Sequence, residues 1–211
     1  MVTKFDEKMS EMGKILNESV KNEEILQLVL PLGYTKEKLE GFIKEHNEIY
    51  EFDGKQKKET GIQLESAKKL ASLSEIFEKS YNNFIAVSKV IFKDKPSAYL
   101  ALGLKGERKK SFSGLTNQGK LYYTTALTDR EILNMFIASG IKEEDLKEGK
   151  KYLDDLLEEH NFHDKEMEDK KVLTKARDEK YDNLVEKVNE YKVIAKFALR
   201  NRQDLLNILG L

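Results

Sequence analysis

"EILQLVLPLG" at residues 24–33 and "EILNMFIASG" at residues 131–140 decide how this chain is read. Both open on Glu-Ile-Leu, both stay mostly apolar, and both stop at a glycine. They lie 107 residues apart. The same shift places Leu39 on Leu146 and "IY" at 49–50 on "LL" at 156–157. It places Phe77, Tyr81 and Phe84 on Leu184, Val188 and Tyr191, and "LGL" at 102–104 on "LGL" at 209–211. No gap is needed. One shift that preserves the apolar pattern throughout predicts two diverged copies of one unit, residues 1–104 and 108–211. Two copies are too few for a solenoid, so the expected product is one closed, pseudo-symmetric domain.

Each copy reads as helix, because its apolar residues recur at spacings of three and four. The first segment runs from about Phe5 to Leu30, with a break near Asn22. Its counterpart runs from about Thr116 to Ala138, with a break at "TDRE" (128–131), where Thr128 and Glu131 have capping-box spacing. Gly33 and Gly140 end these segments. Thr35 is a good N-cap for a second helix, whose stripe is Leu39, Phe42/Ile43, His46 and Ile49/Tyr50. The second copy offers Leu146, Leu153, Leu156/Leu157 and His160. A third helix carries Leu70, Leu73, Phe77, Tyr81, Phe84, Val87 and Ile91, matched by Tyr181, Leu184, Val188, Tyr191, Ile194 and Ala198.

Joined end to end, the second and third helices would extend roughly 85–90 Å at 1.5 Å per residue. A rod of that length has too little chain around it to bury its face. A reversal is therefore expected near Gly54–Gly61 and again near 161–170. A short fourth helix closes each copy, with Asp94 and Asn201 as expected N-caps and Pro96 in its first turn. Gly103 and Gly210 end it, and the following leucine folds back as in a Schellman motif. The expected fold is all-α: an antiparallel four-helix bundle made of two pseudo-symmetric helical hairpins, with shorter helices at the ends. It forms a single domain over 1–211, its two repeats joined by a short basic loop at about 105–116.

The bulk numbers agree with long amphipathic helices: 36% charged, 39% hydrophobic and only two prolines. The formal net charge of −1 gives no overall attraction to nucleic acid or anionic membrane. The chain has no cysteine, which excludes disulfides, thiolate metal sites and a catalytic thiol, and fits a reducing, cytoplasmic setting. The opening "MVTKFDEKMSEMGKILNESV" puts acidic groups where a signal peptide needs an apolar core. No run approaches the roughly 18 apolar residues of a membrane span.

Three features qualify as candidate sites. The first is histidine. His46 and His160 lie on the apolar stripe, and His160-x-x-His163 is surrounded by Glu159, Asp164 and Glu166. Imidazoles one turn apart beside a carboxylate are metal-ligand types. A di-metal bundle, however, needs Glu-x-x-His on two helices, and no Glu-x-x-His occurs in the chain. Polar residues at a helix end or in a loop are the preferred reading. The second is a ladder at intervals of seven: Lys68, Glu75, Asn82 and Lys89, with Lys175, Asp182, Asn189 and Lys196 in the second copy. It points outward. Its last rungs, Lys89 and Lys196, lie in segments apolar nearly all round ("FIAVSKVIF", "VIAKFAL"), which predicts a covering layer and partly buried, snorkelling lysines. The third is "KGERKKSFSGLTNQGK" (105–120), basic and glycine-rich, expected as a solvated linker. It lacks the interleaved aromatics of single-strand binders.

The parts "YYTTALTDREILNMFIASGIKEEDL" and "VIAKFALRNRQDLLNILGL" resemble bacterial proteins of about this size that are all-helical, tandemly duplicated and without a known activity. The resemblance implies the fold and no chemistry. There is no phosphate-binding glycine loop, G-x-S-x-G elbow or H-E-x-x-H. Paired acids such as Asp154–Asp155 and Glu158–Glu159 carry no specific signal on charged helix faces. No cofactor, catalytic residue or metal ligand is therefore assigned. The expected partners are another protein or a second copy of the chain. The expected function is a non-enzymatic helical scaffold or interaction module. The alternative is a ligand-binding or metal-dependent bundle with its site between the repeats. The scaffold predicts an exposed apolar patch and no internal cavity, and the alternative predicts a pocket lined by His or carboxylate groups with perturbed pKa.

Overall fold

Glycine and asparagine punctuate this chain, and helices fill the space between. The computed structural model describes residues 3–211. Met1 and Val2, which open the expected first copy, lie outside the described residues. Among the described residues there are eight α-helices and no strand. They are α1 (Lys4–Lys21), α2 (Glu23–Val29), α3 (Lys36–Ile91), α4 (Pro96–Ala101), α5 (Phe112–Thr128), α6 (Arg130–Ala138), α7 (Glu143–Ala198) and α8 (Gln203–Leu209). A single 3-10 turn, Leu30–Leu32, follows α2.

The helix ends follow from side-chain chemistry. Asn22 breaks α1 from α2, and its side chain accepts from the amides of Glu24 and Ile25. Asp129 does the same between α5 and α6, for Glu131 and Ile132. This corrects the expected capping box: Asp129 is the cap, and the Thr128 hydroxyl donates to the Thr124 carbonyl. A carboxylate accepts more strongly than a hydroxyl and also favours the positive helix N-terminus. Asp94 and Asn201 are not caps either. Lys95 and Arg202 hold those positions without a side-chain bond. Both short helices close as Schellman motifs. The Gly103 and Leu104 amides donate to the carbonyls of Leu100 and Tyr99, and those of Gly210 and Leu211 donate to Asn207 and Leu206. Gly103 and Gly210 have φ of 60° and 73°, a region that penalises any Cβ.

The larger correction concerns α3 and α7. Each is one uninterrupted helix of 56 residues. No reversal occurs near Gly54–Gly61 or near 161–170, so the expected hairpins do not exist. The chain folds into two compact units, and each long helix gives part of itself to each. The first unit comprises residues up to Thr60 together with Glu168–Leu211. Its core joins Met9, Ile15 and Leu16 of α1, Ile25 of α2, Leu39 and Ile49 of α3, Leu184, Val188 and Tyr191 of α7, and Leu205 of α8. The second unit is Gly61–Met167. Its core joins Phe77, Tyr81 and Ile85 of α3, Phe92 just beyond it, Leu102 and Leu104, Tyr122, Tyr123 and Ala126 of α5, Phe136 of α6, and Leu146, Leu153 and Leu156 of α7.

A rod of this length finds enough chain to bury its face because two separate cores share it. Here Leu39–Ile49 serves one core and Phe77–Phe92 the other. Along the intervening stretch α3 adds polar side chains that reach α7. In the first unit Gln56 donates to the Thr174 hydroxyl at 2.7 Å and accepts from Arg177. In the second, Gln63 meets Met167. Gly54 and Gly61 are simply helical, and a Cβ at either would meet nothing within 4 Å. Alanine there removes backbone freedom from the unfolded chain without a clash. Gly54→Ala and Gly61→Ala are each expected to stabilise by about 0.5–1 kcal/mol, read from urea midpoints at unchanged slope.

Tyr–Ser bonds tie the short helices to the long ones. In the first unit the Tyr191 hydroxyl donates to Ser19 at 2.6 Å, and Ser19 donates to the Ile15 carbonyl. In the second, Ser88 donates to the Phe84 carbonyl, so the Tyr122 hydroxyl at 2.7 Å donates to Ser88. Burial pushes both tyrosines above their ordinary range, so they stay neutral.

Candidate functional site

The stripe that buries α7 in the second unit runs Leu146, Gly149, Leu153, Leu156. Its next member is Glu159, only 5% exposed. On α3 the matching stripe passes through Leu73 and Leu70 to Ser66, 4% exposed. The two meet. Ser66 donates to Glu159 Oε1 at 2.8 Å, and the Lys69 ammonium lies 2.6 Å from Oε2. A carboxylate removed from water needs such partners. The Lys69 hydrogen bond, aided by Ser66, holds the Glu159 carboxyl below its usual range, against the burial that would raise it. Glu159 is therefore ionised near neutral pH. Its contribution to stability is in place above about pH 4.5, its ordinary value, and is lost as the pH falls through its lowered pKa.

A groove of about 640 Å³ opens over this pair. Its α3 wall is Ile62, Glu65, Ser66, Lys69 and Leu73, and its α7 wall is Asp155, Glu158, Glu159 and Phe162. The spacings are i, i+3, i+4 and i+7 on both walls, which is one face of each helix. Four carboxylates face one ammonium, and Ile62, Leu73 and Phe162 supply apolar surface. Phe162 is 45% exposed.

Ser66 resembles a nucleophile beside a base, but it sits deep inside α3. The amides around it are consumed by the helix, so none can stabilise an oxyanion. Its hydroxyl hydrogen is committed to Glu159. Among the described residues no three His, Cys, Asp or Glu converge to hold a metal ion.

The sequence-derived candidates do not assemble. His46 is buried in the first unit and donates from Nε2 to the Met9 carbonyl at 2.8 Å, so it ties α3 to α1. It packs edge-on to Tyr50. His160 and His163 lie within α7, at neither a helix end nor a loop, because the expected break is absent. His160 stacks on Phe112 at 4.0 Å and pairs with Asp164 at 3.2 Å. His163 lies one turn beyond Glu159, with a buried Nδ1 that has no hydrogen-bond partner. Asn82, Asn189, Lys89 and Lys196 are all exposed. Among the described residues no layer covers the two lysines, and their apolar neighbours share that exposure: Val90 is 70%, Val193 68% and Phe197 58% exposed.

The basic segment is not a free linker. Helix α5 starts at Phe112, four residues earlier than expected, with Ser111 as its cap. Arg108 donates to the Tyr81 hydroxyl at 2.7 Å and to the Gly103 carbonyl at 2.9 Å. Gln118 holds the backbone of Lys109 and Glu107.

In the sequence Glu159 reads as one of many helix-face acids. Counting the buried stripe one step past Leu156 would have found it. No helix among the described residues is long and apolar enough to cross a membrane. Comparison with protein-family models, with curated proteins and with solved structures gave no match.

Proposed function

We propose that this chain is a non-enzymatic interaction module whose second unit grips a basic amphipathic helix of a partner protein. The groove carries the reading: three net negative charges beside an apolar floor, between two helices, complement a helix with lysine or arginine flanking leucine. Ile62 and Leu73 are eleven residues apart, about 16 Å along α3. That span suits three turns of helix better than a small amine.

The same reading takes residues 1–104 and 108–211 as diverged copies. Its support is that α3 and α7 start 107 residues apart and have equal length, as do the starts of α2 and α6 and of α4 and α8. Each compact unit then draws its helices from both copies, and the groove lies between a helix of each.

The test is binding of a fluorescein-labelled Leu/Lys amphipathic peptide of about 18 residues, or five turns. At low salt it is expected to bind with micromolar affinity. The double substitution Asp155→Lys/Glu158→Lys is expected to weaken it about 30-fold or more, and binding is expected to fade as salt rises. The control Glu78→Lys/Glu144→Lys, on exposed positions elsewhere in the same unit, leaves binding unchanged. Equal loss in both variants, or no binding to the parent chain, overturns the proposal.

A further inference from the structure

Glu159 has two partners of different character. Ser66 is as buried as the carboxylate and belongs to the helix that forms the wall. Lys69 reaches Oε2 on an arm whose side chain is 68% exposed. Only the ammonium tip is engaged, and the rest of the arm lies in water at the mouth of the groove. A lysine so placed can swing into water once another cation takes its place on the buried carboxylate, whereas Ser66 is fixed in the helix.

The fold does not demand a charge here. At the shift of 107 the position matching Glu159 is Phe52, and the one matching Ser66 is Leu173. The first unit is built with apolar residues at both places. A buried ion pair contributes little stability over well-packed apolar groups, and often less. The first unit places its own α3–α7 ion pair, Asp53–Arg177, at other positions, so a charge at the Glu159 position points to a role other than holding the helices together. His163 adds to this: the next turn of α7 holds a buried ring nitrogen without a partner beside the same carboxylate. Three carboxylates surround the pair, Glu65, Asp155 and Glu158, and none of them bonds Lys69 in preference to the buried Glu159.

We infer that Glu159 is the cation subsite of the groove and that Lys69 is its resident occupant, a tethered competitor that an incoming lysine of the partner helix must displace. This rests on the groove being the docking site. In the free chain Lys69 gives the carboxylate the partner it needs and prevents a buried bare charge. On docking, the partner ammonium takes Oε2, Ser66 keeps Oε1, and Lys69 swings into solvent. The raised pKa of Lys69, caused by its hydrogen bond to Glu159, keeps it cationic and competent for this exchange.

The experiment uses the same Leu/Lys peptide on the 211-residue chain. Removing the competitor with Lys69→Met is expected to tighten binding about fivefold, because the Lys69–Glu159 pair no longer has to be broken before the peptide docks. Glu159→Gln is expected to loosen it about tenfold, as for a lost charged hydrogen bond. The double variant is expected to match Glu159→Gln alone, since Lys69 has nothing left to compete for. Lys69→Gln serves as a second removal, and far-UV circular dichroism checks that each variant is folded. Peptide binding that is unchanged or weakened in both Lys69 variants overturns the inference and leaves the docking groove standing. Absence of binding to the parent and to every variant overturns both.

Discussion

Phe77→Ala is expected to cost about 4 kcal/mol, near the middle of the range for deleting a buried phenyl ring. The ring is fully buried in the second unit and stacks on Tyr81, with centroids 5.4 Å apart and planes 10° from parallel. Its far edge reaches α5: a Cβ built on Gly119 would lie 2.6 Å from Phe77 Cζ. The ring fills the space a side chain at 119 would need. Alanine leaves a void there, and the backbones of α3 and α5 cannot close it without disturbing Tyr81, Tyr122 and Tyr123. Urea unfolding measures the loss. Hydrogen exchange should place it at the amides of α5. A companion variant checks the cause. Gly119→Ala destabilises the parent chain, and is much less harmful in a Phe77→Leu background, because the two substitutions compete for one volume. Additive effects would show that Phe77 and Gly119 do not share that contact.

Gly149→Ala is expected to destabilise by about 2–3 kcal/mol, although alanine is the better helix former. A Cβ at 149 would sit 2.5 Å from the Tyr123 oxygen and 2.7 Å from its ring. Tyr123 cannot swing away. It is fully buried and edged by Tyr122 at 5.1 Å and Phe84 at 6.0 Å. Shrinking the ring with Tyr123→Leu should recover part of the loss from Gly149→Ala. Thermal melts of the two single variants and the double variant read this directly. A neutral Gly149→Ala would mean that α5 and α7 do not approach so closely.

The contrast with Gly54 and Gly61 is instructive. All three glycines lie in helix interiors, and all three look alike in sequence. Alanine is expected to stabilise at two of them and to destabilise at the third. Local propensity is the same in each case, and the sign depends on what stands opposite.

The same division runs through the whole molecule. Periodicity determined that the chain is helical and most of the face each helix buries, and Asn22, Gly33, Gly103, Gly140 and Gly210 mark helix ends as their chemistry requires. These are local properties, set within a few residues by backbone sterics and by the 3.6-residue turn. The matched segments 24–33 and 131–140 also placed the α2 and α6 helices. The reversals expected in α3 and α7 were a different kind of claim, an argument about how much core one chain can build. It failed because the chain builds two cores and lets each long helix serve both, with Gln56 and Gln63 filling the polar stretch. Likewise, sequence alone showed Glu159 as one acid among thirty-eight acidic residues. Only tertiary packing turned it inward against Ser66, left Lys69 reaching in from solvent, and opened a groove above them. Side-chain burial is a relation between distant segments, so no window of neighbouring residues contains it.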